Sequence, residues 1–107
     1  MAQTDGFSAR TFTEDGTTVV ALAGEVDLAT APVLDAALTD AVDAAPSTLV
    51  IDLADLDFMD STAAGVMVRA GNRLVESGGM IAVRRPRPHI RRAIDIMGLN
   101  LVFGLED

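Results

Sequence analysis

Short runs of β-branched residues alternate along this chain with stretches whose apolar residues recur at helical spacing, and this alternation limits the possible folds more than any other feature. The first two runs, residues 7–13 and 17–23, are joined by Glu14, Asp15 and Gly16. Because Asp-Gly between two alternating runs is a strong signal for a tight turn, the two runs predict an opening β-hairpin.

The rest of the pattern predicts three helices, each followed by a strand. Thr30 is the predicted N-cap of the first helix, and Asp60 or Ser61 that of the second. Helices are expected at residues 31–44, 61–77 and 89–97, with strands at 48–53 and 80–83 and a final strand or extended tail at 101–105. The order β-β-α-β-α-β-α-β predicts an α/β fold: a mixed sheet, mainly parallel after the hairpin, with crossover helices packed on it. At 107 residues, the chain is expected to form one domain over residues 1–107.

Composition excludes several kinds of chemistry. Cysteine and lysine are both absent, so the chain can have no thiolate metal site, cysteine nucleophile or Schiff-base lysine. The net charge of −8 and the lack of Trp and Tyr argue against nucleic acid and acidic membranes as partners. We expect no catalytic activity, no metal and no cofactor. We also expect a cytoplasmic location, because no uncharged run is long enough to span a bilayer and no apolar signal region follows Met1.

Three groups of titratable residues are candidate sites. His89 is the only histidine, and we expect it to be a solvated or capping residue. Four aspartates between residues 52 and 60 lack the glycine turn and terminal glutamate of a calcium loop, which argues against a metal site. Five arginines between residues 84 and 92 predict a solvated surface that pairs with the acidic first half, with contact to a protein partner as the alternative. The two sets are Asp52, Asp55, Asp57 and Asp60, and Arg84, Arg85, Arg87, Arg91 and Arg92.

Asp60, Ser61 and Thr62 stand where a strand and its loop lead into the second predicted helix. The first N–H groups of a helix and its dipole favour an anion, so this position would accommodate a phosphoryl group on Ser61. The spacing alone favours a simpler alternative, in which one of the three residues is only the N-cap.

Four segments resemble the STAS domains of the anti-sigma factor antagonist family, and together they cover nearly the whole chain. The main one is residues 53–66, LADLDFMDSTAAGV. The others, in order, are residues 24–27 (GEVD) with 29–32 (ATAP), the glycine pair at 78–79, and residues 91–99 (RRAIDIMGL). In place of the glycine that usually follows the hydroxyl pair of the family, this chain has Ala63, followed by Ala64.

The resemblance implies a phosphorylation switch. Ser61 matches the serine that an anti-sigma factor with serine kinase activity phosphorylates, and Asp27, Asp60 and Thr62 match partner-binding positions beside it. In the family, the unphosphorylated antagonist binds the kinase and so releases a sigma factor. Phosphorylation ends this binding, and a phosphatase resets the switch.

Two alternatives remain open. A STAS subunit that acts as a scaffold in a lipid-transport or stress-signalling assembly would carry the same Ser61 without a phosphorylation cycle. An acyl carrier protein is also small and acidic, with a modified serine after an aspartate, but its all-helical fold disagrees with the strands predicted at residues 17–23 and 48–53.

Overall fold

A single sheet of six strands organises the computed structural model, which describes residues 2–4, 6–99 and 104–106. The strands follow one another across the sheet in chain order. They are β1 (Ala2–Thr4), β2 (Phe7–Glu14), β3 (Thr17–Val26), β4 (Thr48–Met59), β5 (Met80–Arg84) and β6 (Gly104–Glu106). The helices are α1 (Ala31–Asp43), α2 (Ser61–Glu76) and α3 (Pro88–Ile96).

The sheet is mixed, as the sequence predicted. β1, β2 and β3 pair antiparallel, whereas β3–β4, β4–β5 and β5–β6 pair in parallel. The three helices connect the strands of the parallel pairs. The predicted hairpin is confirmed, since Glu14 pairs with Thr17 and both residues of the turn, Asp15 and Gly16, have positive φ. Positive φ at both central residues suits the two-residue turns that match strand twist. The sheet rules out the all-helical fold of an acyl carrier protein.

One face of the sheet packs against the helices and forms the core. The apolar stripe predicted for α1 is confirmed, and the fully buried Leu34 and Leu38 lie at its centre. Burying a leucine side chain contributes roughly 1.5–3 kcal/mol. The sheet contributes alternate residues to the same core, among them Val20, Leu22, Leu49, Ile51, Leu53, Ile81 and Val83. None of the helices in the described ranges is long and apolar enough to cross a membrane.

Three parts of the sheet differ from the sequence prediction. The short strand β1 was not predicted, because three residues are too few to show a period. β4 does not end at residue 53 but continues to Met59, with Leu56 buried and Asp55 and Asp57 exposed. Of the predicted final strand, residues 101–103 lie outside the described residues, and β6 begins at Gly104.

The continuation of β4 depends on irregular pairing with β3. The register shifts twice, between Ala21 and Ala23 and between Gly24 and Glu25, and pairing then runs on to Val26. Gly24 has φ +94°, and a Cβ placed there would lie 2.0 Å from the carbonyl oxygen of Gly6. The same oxygen accepts a 2.8 Å hydrogen bond from the backbone N–H of Glu25. The backbone of Gly6, just before β2, therefore lies directly against the backbone of β3.

Candidate functional site

The end of β4 leads into α2 with a single residue between them. Asp60 has extended backbone, and its Oδ1 accepts a 3.0 Å hydrogen bond from the N–H of Ala63, which makes Asp60 the N-cap of α2. Of the caps that the sequence allowed, the structure therefore selects Asp60. Ser61 is the first residue of α2, and its side chain is exposed.

Asp27 lies beside this junction. Val26 pairs with Met59 at the end of the parallel strands, and the N–H of Asp60 donates to the carbonyl oxygen of Val26 at 3.3 Å. The structure thus brings together, at the carboxyl ends of β3 and β4, all four site residues that the resemblance indicated: Asp27, Asp60, Ser61 and Thr62.

Asp27 also holds the loop that leads into α1. Its Oδ1 accepts hydrogen bonds from the N–H groups of Ala29 and Thr30, at 3.0 and 3.1 Å, and the Thr30 hydroxyl accepts one from the N–H of Asp27 at 3.0 Å. Thr30 stands at the predicted N-cap position, but its side chain makes no capping bond to the helix. The Asp27 carboxylate is thus tied to the backbone and fixes the shape of the surface beside Ser61.

The negative charge around Ser61 comes mainly from Asp60 and Asp27. Asp57 is nearby in sequence, but its carboxylate is paired with Arg87, and its carbonyl oxygen accepts a 2.6 Å hydrogen bond from Nε2 of His89. His89 is exposed in the first turn of α3, consistent with the solvated or capping role predicted for it. In the described part of the chain, the Ser61 hydroxyl makes no hydrogen bond, so the fold does not depend on it.

A groove begins at this site and runs between the start of α1 and the first half of α2. Its volume is about 240 Å³. Leu28 and Pro32 line one side of it, and Thr62, Val66 and Arg69 line the other. Neither Leu28 nor Arg69 was predicted as a site residue, because nothing in the sequence shows that the loop before α1 and the middle of α2 meet.

The predicted arginine surface is only partly a solvated one. Arg84 is 13% exposed and Asp52 is 10% exposed, and Nε of Arg84 lies 2.9 Å from Oδ2 of Asp52. Arg84 also pairs with Glu14 at 3.1 Å. Both hydrogen bonds raise the pKa of Arg84 above its ordinary value, and the bond with Glu14 has the larger effect. The predicted pairing with the acidic half is confirmed, but Arg84 and Asp52 are sheet residues in a shielded position.

This shielding makes Arg84 the arginine of the set whose loss we expect to cost most. Arg84→Gln should lower the free energy of unfolding by about 2 kcal/mol, because it leaves Oδ2 of the buried Asp52 with only a 3.8 Å contact to Arg85, while Oδ1 keeps its hydrogen bond from the N–H of Ala54. Arg92→Gln, at an exposed position on α3, should change it by less than about 0.5 kcal/mol. Urea denaturation of both variants measures the difference, and equal losses would contradict the distinction.

Comparison with known proteins agrees with this geometry. The sequence pattern of the family described as "Mlab, STAS domain" matches residues 10–105. Anti-sigma-F factor antagonist RsfB of Mycobacterium tuberculosis (strain CDC 1551 / Oshkosh) is 30% identical over 105 residues, which covers 98% of this chain and 85% of that protein. The anti-sigma-B factor antagonist of Bacillus subtilis (strain 168) is 35% identical over 86 residues, which covers 80% of this chain and 78% of the other.

A solved structure shares both sequence and fold. The crystal structure of an anti-sigma factor antagonist from Mycobacterium paratuberculosis has a TM-score of 0.86 and 31% identity, and the match covers 98% of this chain and 89% of that one. The anti-sigma factor antagonist SpoIIAA in its unphosphorylated form shares the fold, with a TM-score of 0.77, 22% identity and coverage of 94% and 89%.

Proposed function

Since this chain belongs to the STAS domain family and its relatives are anti-sigma factor antagonists, we propose that it is an antagonist controlled by phosphorylation of Ser61. The unphosphorylated form binds an anti-sigma factor that is also a serine kinase, and this binding frees a sigma factor. Phosphorylation ends the binding, and a phosphatase restores it.

The observation that supports this proposal most directly is the state of the Ser61 hydroxyl. It is exposed at the first residue of α2, and Asp60 supplies the cap that a serine at this junction could otherwise provide. Modification of the hydroxyl therefore breaks no hydrogen bond of the described fold. The first N–H groups of a helix have no partner within the helix, and together with the helix dipole they favour an anion at this end.

The surroundings of Ser61 suit a switch that works at the surface. Asp60 and Asp27 are held by backbone hydrogen bonds, so the junction presents a fixed shape to a partner. A phosphoryl group adds a charge of about −1.5 to −2 at that point. A partner that fits the unmodified surface would therefore face this added charge, although the fold of the domain itself is unchanged.

Transfer of phosphate to Ser61 is tested by intact mass. After incubation with ATP and candidate anti-sigma factor kinases, the wild type should gain one phosphoryl group, as the Ser61 oxygen takes the γ-phosphoryl group and ADP leaves. Ser61→Ala should abolish the gain while keeping partner binding, because the Ser61 hydroxyl carries no hydrogen bond within the described residues. Thr62→Ala is the matched control, and it should keep at least part of the labelling.

Labelling that persists in Ser61→Ala would contradict the assignment of the acceptor. Partner binding without labelling by any candidate kinase would instead favour a scaffold role without a phosphorylation cycle.

A further inference from the structure

The groove between α1 and α2 continues directly from the proposed switch. Thr62, the neighbour of Ser61, lines its near end, and Arg69 lines its far end almost two turns along α2. A partner segment that lies in the groove would therefore pass next to the Ser61 hydroxyl.

One wall of the groove offers an apolar anchor point. Leu28 is 74% exposed, which makes it one of the most exposed large apolar side chains in the described part of the chain. Pro32 is exposed beside it on the first turn of α1, while Val66 on the opposite wall is buried. The loop that carries Leu28 is held by the Asp27 and Thr30 hydrogen bonds, so docking against Leu28 needs little ordering of the backbone.

The opposite wall offers a cation that has no counter-ion among the residues that the structure describes. Arg69 is exposed and has no hydrogen bond or ion pair in the described residues, although Asp35 lines the same groove. Its Nη1 lies 3.5 Å from the point that a Cβ on Gly65 would occupy. The side chain therefore extends back along α2, over Gly65, towards the N-terminus of the helix.

We propose that the groove docks a segment of the anti-sigma factor in which an apolar side chain stands next to a carboxylate. The apolar side chain packs against Leu28 and Pro32, and the carboxylate pairs with Arg69. The inference rests on the proposed function, because it names the chemistry of the partner at that same site.

The position of Arg69 also connects docking to the switch. Its guanidinium lies at the level of Gly65, one helical turn from Ser61, or about 6 Å along the axis. This is shorter than the Debye length of about 8–10 Å at physiological salt. A phosphoryl group on Ser61 would thus repel the docked carboxylate and compete with it for Arg69.

Charge reversal at Arg69 tests the pairing. Arg69→Glu should weaken binding of the unphosphorylated protein to its anti-sigma factor at least about tenfold, and Arg69→Lys should recover part of the loss because it keeps the charge. Arg92→Glu is the matched control: Arg92 is exposed on α3, has no hydrogen bond or ion pair in the described ranges and undergoes the same change of charge. Leu28→Ala should also weaken binding at least about tenfold, and thermal melting of each variant confirms that it is folded.

The outcomes separate the two proposals. If the wild type binds the anti-sigma factor and Arg69→Glu binds equally well, the groove proposal is wrong while the proposed function stands. Equal losses in Arg69→Glu and Arg92→Glu would show that the loss of binding is not specific to the groove and would also overturn the docking assignment. If the wild type binds no candidate anti-sigma factor, the proposed function fails, and the groove proposal fails with it.

Discussion

Replacing Gly24 with alanine is expected to lower the free energy of unfolding by at least about 3 kcal/mol. The new Cβ would lie 2.0 Å from the carbonyl oxygen of Gly6, a contact that real structures do not allow, so the backbone at Gly6 must move away. That movement breaks the hydrogen bond from Glu25 to Gly6, and the φ of +94° adds strain of about 1–3 kcal/mol for a residue with a Cβ.

Gly16→Ala separates the two causes of this loss. Gly16 has φ +80°, but a Cβ there meets no atom within 4 Å, so the substitution adds strain without a clash. Its expected cost is about 1–2 kcal/mol. Urea denaturation of both variants gives the comparison, and a loss in Gly24→Ala no larger than that in Gly16→Ala would show that the approach of Gly6 to β3 does not matter for stability.

Phosphorylation of Ser61 is expected to lower the affinity for the anti-sigma factor at least tenfold, with little effect on the fold. A charge of about −1.5 to −2, set roughly 6 Å from one partner carboxylate at an effective dielectric near 20, costs on the order of 4–6 kcal/mol before screening. If about 2 kcal/mol of this electrostatic cost remains after salt screening and side-chain relaxation, binding weakens roughly thirtyfold. Within the domain, the helix N-terminus and Arg69 favour the phosphoryl group while Asp27 and Asp60 disfavour it, so these effects roughly offset.

Titration and melting of both forms decide between a surface effect and unfolding. The phosphorylated protein should melt within about 5 °C of the unmodified one. Ser61→Ala, which cannot accept the phosphoryl group, is the control and should keep its affinity after incubation with kinase and ATP. Equal affinities of the two forms would reject the switch, and a large fall in melting temperature would indicate that unfolding causes the loss of binding.

The local signals in this sequence predict much of the fold and the core of the site. The Asp15-Gly16 turn, the stripe of α1 and the junction at Asp60 each depend on residues a few positions apart, and each is found where the sequence placed it. The last six residues of β4 were missed because the alternating Asp55 and Asp57 resemble a polar loop. The exposed Asp55 and Asp57 alternate with the buried Leu56. This alternation indicates a strand only once β3 is known to pair with the segment.

Contacts between distant residues could not be predicted in the same way. Asp52 and Arg84 become neighbours because β4 and β5 pair in a register that brings these two positions side by side. The groove requires the loop before α1 to meet α2. The exposure of Leu28, and the lack of an ion-pair partner for Arg69 among the described residues, therefore appear only in the folded chain. The roles of Ser61, Asp27, Asp60 and Thr62 in phosphorylation and partner binding stay predictions that the experiments above test.

The ion pairs described above have a consequence for synthesis on the ribosome. Glu14, Asp52 and Asp57 all belong to the first 60 residues, which hold twelve acidic residues and one arginine, whereas their partners Arg84 and Arg87 come later. A nascent chain that has exposed only those 60 residues carries strong self-repulsion, and its central strand β4 still lacks β5. We therefore expect stable folding to require emergence of the arginine-rich segment, and the partly made chain to be accessible to chaperones and proteases until then.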